Sequence, residues 1–418
     1  MENIFITKLI LEKVRNLDHI EIPLSKDKKK HLIFTGRNGS GKTTILDGLS
    51  DFFNDLTTTS QLSFAESQLS IAQNNLSYAQ RSNMEQKEVA ERINTVHRLK
   101  REIDKIRRGF ITEFNCSDKE VHSAFKAGNL VIAYYKAERT FEAEISRHVE
   151  KIELQQNYTI YDKPRRDFVK YLLDLKMTQA LAVSANKKEK ADGIQKWFDN
   201  FENLLKDIFE NDQLCLDFDE ETFRFSIREP GKESYDFNTL SSGYAAVLDI
   251  VVDLMIRMEK QTERKFRYDM PGIVFVDEIE THLHLALQKK ILKLLTTMFP
   301  NIQFIVTTHS PFVLNSLDDV VIYDLEQHIL VENGLSDVPY DGIVEGYFNA
   351  SVLSDKLKEK FARYKTLVNK NLLTDEDFEE IADLEMFLDE IPDYLALGIT
   401  TEYHRLKLEL SKREDIDG

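Results

Sequence analysis

No stretch of this 418-residue chain approaches the roughly 20 consecutive apolar residues that a helix needs to cross a bilayer. The run from Ala245 to Ile256 comes nearest in character, and Asp249 and Asp253 interrupt it. The start, Met1-Glu2-Asn3-Ile4-Phe5, has no basic segment followed by an apolar one, so a secretory leader is not expected. Cysteine is nearly missing: Cys116 and Cys215 do not have the spacing of a metal site. Low-complexity tracts are absent too. These absences predict a globular protein of the reduced cytoplasm, with one large or two medium domains and no membrane contact. Positive charge is also short. The 55 Lys and Arg against 72 Asp and Glu leave a formal net charge of −17, which excludes a surface coated for nucleic acid and leaves room only for a local basic patch.

What is present sits in short motifs. Gly36-Arg37-Asn38-Gly39-Ser40-Gly41-Lys42-Thr43 fits G-x-x-x-x-G-K-[ST]. The apolar run 32–35 leads in as a buried strand, and a helix-like pattern from Thr44 to Phe53 follows, which is the context the motif requires. Its glycines let backbone N–H groups turn inward around phosphates, and the helix start adds partial positive charge. Lys42 is placed to reach the β- and γ-phosphates, and Thr43 to ligate Mg2+.

Residues 273–278 read as a buried strand ending in two carboxylates. Asp277 is placed to hold Mg2+ through water, and Glu278 to orient or deprotonate the attacking water. Residues 301–308 read as a second core strand, followed by His309-Ser310. A histidine at the C-terminal end of such a strand faces the ligand edge of an open α/β sheet and can reach a γ-phosphate or the nucleophilic water. Leu240-Ser241-Ser242-Gly243-Tyr244 opens a helical stretch running to Met258. Two hydroxyls and a glycine at a helix start form a further anion site, useful if it serves nucleotide bound to a second subunit. A plain serine N-cap is the alternative.

Taken in order, these motifs resemble the ATP-binding-cassette class, in its SMC/RecF/OLD-like branch. Leu240–Tyr244 looks like that class's signature, Leu-Ser-Gly-Gly-Gln, and departs at the third and fifth positions. The runs 276–284 and 304–312 are similar to those of OLD-type and related defence ATPases. The resemblance covers roughly residues 1–350 and implies an α/β P-loop head with an N-terminal β-subdomain and a helical lobe, two heads sandwiching two ATP molecules. It assigns residues 36–44 (Gly36 through Thr44), Asp277 and Glu278 to act in cis, and Ser241, Ser242 and Gly243 to act in trans. Arg15 and Asn16 resemble the N-terminal pair that touches nucleotide in this branch. No glutamine stands in the setting of the family's Q-loop. Gln155 and Gln156 lack a strand-end position, and the segment Tyr134–Arg139, which follows an apolar strand, is the other choice.

Between the motifs, residues 57–110 depart from a globular core. Leu62, Leu69 and Leu76 recur every seven residues with Ala65, Ala72 and Ala79 at the other seam position. A second arm carries Val89, Ile93, Val96, Leu99, Ile103 and Ile106. We expect an inserted antiparallel coiled-coil hairpin with arms of about 30–35 Å, too short for an SMC rod and without the C-x-x-C of a zinc hook. Residues 81–108 hold nine Lys/Arg against five acids, a candidate DNA or acidic-partner contact as well as an ordinary solvated face. The expected division is 1–56 for the head with its phosphate loop, 57–110 for the hairpin, 111–240 for the remaining lobe and helical lobe, 241–347 for the second half of the head and 348–418 for an acidic helical extension. Asp375, Glu376 and Asp377 in that extension read as a helix start rather than a metal site. It holds no Toprim pattern.

The layout resembles ATPase subunits of bacterial anti-phage systems, Septu PtuA-type (including retron-associated forms) and then PARIS AriA-type. That resemblance implies an ATPase that dimerises or assembles further around ATP and Mg2+, and that controls an effector nuclease of HNH or Toprim type encoded separately. The rival is a RecF-like repair ATPase that binds DNA directly through the basic arm. A transporter ATPase is a third reading, against which the hairpin insertion argues.

Overall fold

The computed structural model describes residues 3–412, apart from 16, 83, 145–148, 264, 345–354, 371 and 391–396. The described residues fall into two units, Met1–Val338 and Pro339–Gly418.

The first unit is built on a six-stranded sheet. Its strands are β3 (His31–Thr35), β5 (Val131–Tyr135), β8 (Gly272–Val276), β9 (Ile302–Thr307), β10 (Val320–Asp324) and β11 (Ile329–Val331), in the order β11-β10-β3-β9-β8-β5. All neighbours are parallel except the edge strand β11. Every residue of β3, β8, β9 and β10 is buried, as continuous apolar runs require when both faces of a parallel sheet are covered. Gly272 is needed where β5 and β8 come together, because a Cβ there would lie 2.7 Å from the Val131 carbonyl oxygen.

A second sheet, antiparallel, pairs β1 (Ile6–Val14) with β2 (Leu17–Pro23) on one side and β4 (Phe110–Phe114) on the other. Helix α1 (Lys42–Thr58) shares a core with both sheets. Phe53 makes edge contacts with Phe275 of β8 at 5.1 Å and Phe114 of β4 at 5.8 Å. The second half of α1 is therefore packed against β8 and β4.

Helices α2 (Gln61–Arg81) and α3 (Gln86–Arg107) form the expected antiparallel pair. Leu62, Ala65 and Ala79 are buried against Val96, Leu99 and Ile103, and Leu69, Ala72 and Leu76 are half-buried. Two of the arm's cations are committed within the chain. Arg107 pairs with Glu66 at 2.7 Å, and Arg108 reaches Asp51 and Asp55 at 3.2 Å each. After α4 (Asp118–Lys126) come α5 (Phe168–Ser184), α6 (Lys188–Phe209), a two-stranded hairpin of β6 (Cys215–Asp219) and β7 (Arg224–Arg228), and α7 (Ser242–Glu259). The head closes with α8 (Leu285–Met298) and the short α9 (Pro311–Leu314).

Helix α7 is buried at every position from Ala245 to Glu259, including four ionisable side chains. Burying a charge is costly unless it is paired or hydrogen-bonded, and each of these has at least one such partner. Asp253 accepts from Arg257 Nε at 2.7 Å and Tyr135 Oη at 2.8 Å. Arg257 also donates to the carbonyls of Ile132 and Thr159. Asp249 pairs with Arg165. Glu259 accepts from Tyr171, Trp197 and Tyr268.

The second unit starts with a single turn, α10 (Tyr340–Gly342), and contains α11 (Asp355–Val368), α12 (Asp375–Asp389) and α13 (Leu397–Leu410). Phe361, Tyr364, Ile381, Leu384, Tyr403 and Leu406 are among its buried core residues. Thr374 and Asp377 form a capping box, and Asp377 also accepts from Lys370, which lowers its pKa to about 2. The acidic cluster is a helix start, and no metal-binding group of His, Cys, Asp or Glu occurs among the described residues.

Replacing Arg257 with alanine leaves the buried Asp253 carboxylate without its closer cation, with Arg165 remaining at 3.5 Å. The expected loss is about 3–5 kcal/mol of stability, read as a lower urea midpoint; an unchanged midpoint would contradict the network described above.

Candidate functional site

The parallel strands deliver their C-terminal ends to one edge, and the motifs collect there. The phosphate loop leaves β3 through Gly36, with Gly39 and Gly41 also at positive φ. Gly41, at φ 101°, is the residue from which α1 starts. Lys42 lies back across the loop, its Nζ donating to the carbonyls of Gly36 at 2.8 Å and Arg37 at 3.1 Å. Burial lowers its pKa, and the nearby carboxylates of Glu278 and Asp277 oppose that shift. A cavity of about 220 Å3 opens beside the loop, lined by residues 38–44 together with Arg15, Leu17 and Glu278. Arg15 comes to the cavity in a left-handed turn at φ 51°. Asn16 lies outside the described residues.

The carboxylates stand one strand further along, with β9 between β3 and β8. Thr307, fully buried at the end of β9, ties them together. Its Oγ1 donates to Asp277 Oδ1 at 2.6 Å and accepts from the Glu278 N–H at 2.7 Å. Glu278 has φ 43°, a conformation that costs a non-glycine residue about 1–2 kcal/mol and persists only where the surroundings impose it. Thr281 Oγ1 donates to Glu278 Oε2 at 3.1 Å. From the far side, the buried Arg139 donates to the main-chain carbonyls of Asp277, Glu278 and Ile279.

Glu280 fixes the next motif. Its carboxylate accepts from Thr308 Oγ1 at 2.8 Å and from the His309 N–H. His309 Nε2 is buried and has no hydrogen-bond partner among the described residues. Burial, then the Lys42 cation, lowers the His309 pKa, so a neutral imidazole stands beside the phosphate loop at physiological pH.

Ser241, Ser242 and Gly243 are placed differently. They do not line the cavity. Both serines are exposed, and neither caps α7 with its side chain. A simple serine cap, the alternative reading of this element, is thus not what the hydroxyls provide. Gly243 is packed against the acidic turn of its own chain, where a Cβ would lie 3.0 Å from the His282 carbonyl oxygen. Tyr244 stacks on Phe209 with ring centroids 4.0 Å apart. The structure therefore brings Arg15, the phosphate loop, Asp277, Glu278 and His309 to one edge and leaves the signature hydroxyls facing outward.

Thr307 and Glu280 lie inside recognised motifs but were given no role by sequence reasoning. Arg139 was named only as the end of the Tyr134–Arg139 segment considered in place of a Q-loop, and its bonds to the acidic turn were not foreseen.

A family profile described as "AAA domain, putative AbiEii toxin, Type IV TA system" matches residues 151–315. The Septu protein PtuA of Bacillus mycoides (strain KBAB4) is 27% identical over 241 residues, 52% of this chain and 33% of that protein. The retron Ec83 "probable ATPase" of Escherichia coli is 31% identical over 180 residues, 42% of this chain and 32% of that protein. The motif set and these matches make the chain similar to P-loop ATPases of the SMC/RecF-like branch. The matches to these curated relatives span about a third of the relatives' length. An SMC head bound to the C-winged helix domain of ScpA covers 80% of this chain and 98% of that chain at 15% identity, with a TM-score of 0.38. The fold assignment rests instead on the strand order and the loop geometry of the ATPase itself.

Thr307→Val keeps the shape of the ATPase core but leaves Asp277 Oδ1 and the Glu278 N–H without their partner. The expected cost is about 1–3 kcal/mol, measured by urea denaturation, and a variant as stable as the parent would contradict this geometry.

Proposed function

We propose that this ATPase binds Mg2+·ATP between two copies of the chain, hydrolyses it, and uses the closed and open states to control a separate effector nuclease in anti-phage defence. The observation that carries the reading is the division of the site. The phosphate loop and Glu278 line one cavity, while the hydroxyls of Ser241 and Ser242 are exposed, uncapped and outside it. Hydroxyls with no task in their own chain suit the γ-phosphate of nucleotide held by a partner copy.

Within one chain the proposed roles are these. The N–H groups of residues 36–44 cradle the phosphates, and Lys42 leaves its loop carbonyls for the β- and γ-phosphates. Thr43 and Asp277 offer hard oxygen donors that fit Mg2+, whose charge, when bound, neutralises the phosphates. Arg15 flanks the nucleotide. Glu278 takes a proton from the water whose oxygen bonds to the γ-phosphorus as the bond to the bridging oxygen of ADP breaks. His309, neutral and with a free Nε2, is placed to donate to the γ-phosphate or orient that water.

The defence assignment is supported by the Septu and retron relatives. An effector of HNH or Toprim type acting in trans fits an extension that forms a helical unit. A cytoplasmic setting fits the described helices, none of which is long and apolar enough to cross a membrane. The RecF-like reading is weaker. The RecF proteins of Rickettsia match over 53 residues, 13% of this chain. Arg107 and Arg108, two of the cations it needs for DNA, are already paired within the head and hairpin.

Glu278→Gln is expected to bind ATP like the parent and to hydrolyse it at least about 100-fold more slowly, with the effector co-purifying from the native host in ATP and Mg2+. Hydrolysis at the parental rate would contradict the role of that carboxylate. Ser242→Arg is expected to leave nucleotide affinity within about threefold and to remove hydrolysis, because the added bulk and charge block the partner head. Unchanged turnover in Ser242→Arg would show that the signature does not complete the site.

A further inference from the structure

Arg139 has no place in the mechanism above, yet its setting is among the most constrained in the head. It follows β5 by four residues and is 3% exposed. Its Nη1 donates to the carbonyls of Lys136 at 3.1 Å and Asp277 at 2.7 Å. Its Nη2 donates to those of Glu278 at 2.8 Å and Ile279 at 3.2 Å. A buried guanidinium is usually met by a carboxylate. Here four donors are directed at neutral main-chain oxygens, three of them on consecutive residues of the acidic turn. A lysine offers its donors from one nitrogen, whereas the guanidinium spreads them over separate nitrogens in a planar fork.

The turn it grips is the one that needs support. Glu278 is held at φ 43°, where a side-chain-bearing residue does not stay unless both of its peptide groups are fixed. Thr307 fixes the N–H side, and on the carbonyl side Arg139 joins the Thr281 N–H on the Glu278 carbonyl, while the Ile279 N–H donates to the Thr307 carbonyl. We propose that Arg139 is a positioning residue for ATP hydrolysis, which acts by clamping the Asp277–Ile279 carbonyls and thereby aims the Glu278 carboxylate into the nucleotide cavity. This rests on the reading of Glu278 as the group that handles the attacking water. Among the described residues the buried Arg139 Nε has no hydrogen-bond partner.

The test compares the parent, Arg139→Gln, Arg139→Lys, Glu278→Gln and the Glu278→Gln/Arg139→Gln double variant, all as the full chain. Steady-state ATP hydrolysis, the Kd for Mg2+·ATP and thermal melting are measured for each. Arg139→Gln is expected to lower kcat by about 10- to 100-fold while KM and Kd stay within about threefold. Arg139→Lys, which keeps the charge but loses the fork, should recover only part of the rate. In the double variant kcat should equal that of Glu278→Gln alone, because Arg139 acts through that residue. Losses that multiply in the double variant, an Arg139→Gln chain at the parental rate, or a nucleotide affinity that falls in step with kcat would each overturn the proposal. If the glutamine variant does not fold, the lysine variant takes its place in the same cycle. A Glu278→Gln chain that hydrolyses ATP normally, or a parent with no turnover, would overturn the underlying reading of Glu278 and with it the proposal. The other outcomes overturn the Arg139 proposal alone.

Discussion

Strand β9 lies between β3 and β8, and the candidate site depends on that order. Parallel strands sit about 4.8 Å apart, so the strand carrying the phosphate loop and the strand carrying the carboxylates are separated by one intervening strand, about the width of a phosphate group and its metal. The end of β9 fills the gap with Thr307, which binds both carboxylate residues, and then with His309. Were β8 directly beside β3, Asp277 would crowd Lys42 and leave little room for phosphate. The turn after β8 pays for its placement with a strained Glu278, and bonds from β9, from Thr281 and from Arg139 hold it there.

A second constraint is the burial of α7. The helix that presents Ser241 and Ser242 at its exposed start carries Asp249, Asp253, Arg257 and Glu259 into the interior. Paired charges of this kind add little net stability, but they are intolerant of misplacement, since a slip strands a charge in a low-dielectric interior. Through Tyr135 and Arg257 the network fastens α7 to β5, and β5 pairs with β8. The outward-facing hydroxyls are thereby set in a defined relation to the cavity of the same chain. Such a relation is what a site completed by a second copy requires, because both halves must be rigid before they meet.

The parts of this architecture that were legible in sequence are those encoded locally. The strands 32–35, 273–278 and 301–308 are continuous apolar runs, and the structure bounds them within a residue or two at His31–Thr35, Gly272–Val276 and Ile302–Thr307. The seven-residue repeat of Leu62, Leu69 and Leu76 marks the face along which α2 meets α3. What escaped notice depends on contacts distant in sequence. Arg139 lies 138 residues from the Asp277 carbonyl it binds, and nothing in its neighbours announces that bond. The commitment of Arg107 and Arg108 to Glu66, Asp51 and Asp55 was equally hidden, and a count of basic residues in the arm overstated the free positive charge. Asp249 and Asp253 looked like interruptions of an apolar run, whereas in the fold they are the anchors of α7.

The central claim is that each nucleotide site is completed by a second copy of the chain, and subunit mixing tests it most directly. A chain with Ser241 and Ser242 both changed to alanine retains its own phosphate loop but cannot complete its partner's site. A chain with Lys42→Ala lacks the loop lysine but keeps an intact signature. Each alone should be inactive. Mixed in equal amounts with Mg2+·ATP, they should form one whole site per heterodimer, and ATP hydrolysis should reappear in proportion to the mixed species. A mixture as inactive as its components, with heterodimers demonstrably formed, would contradict the account.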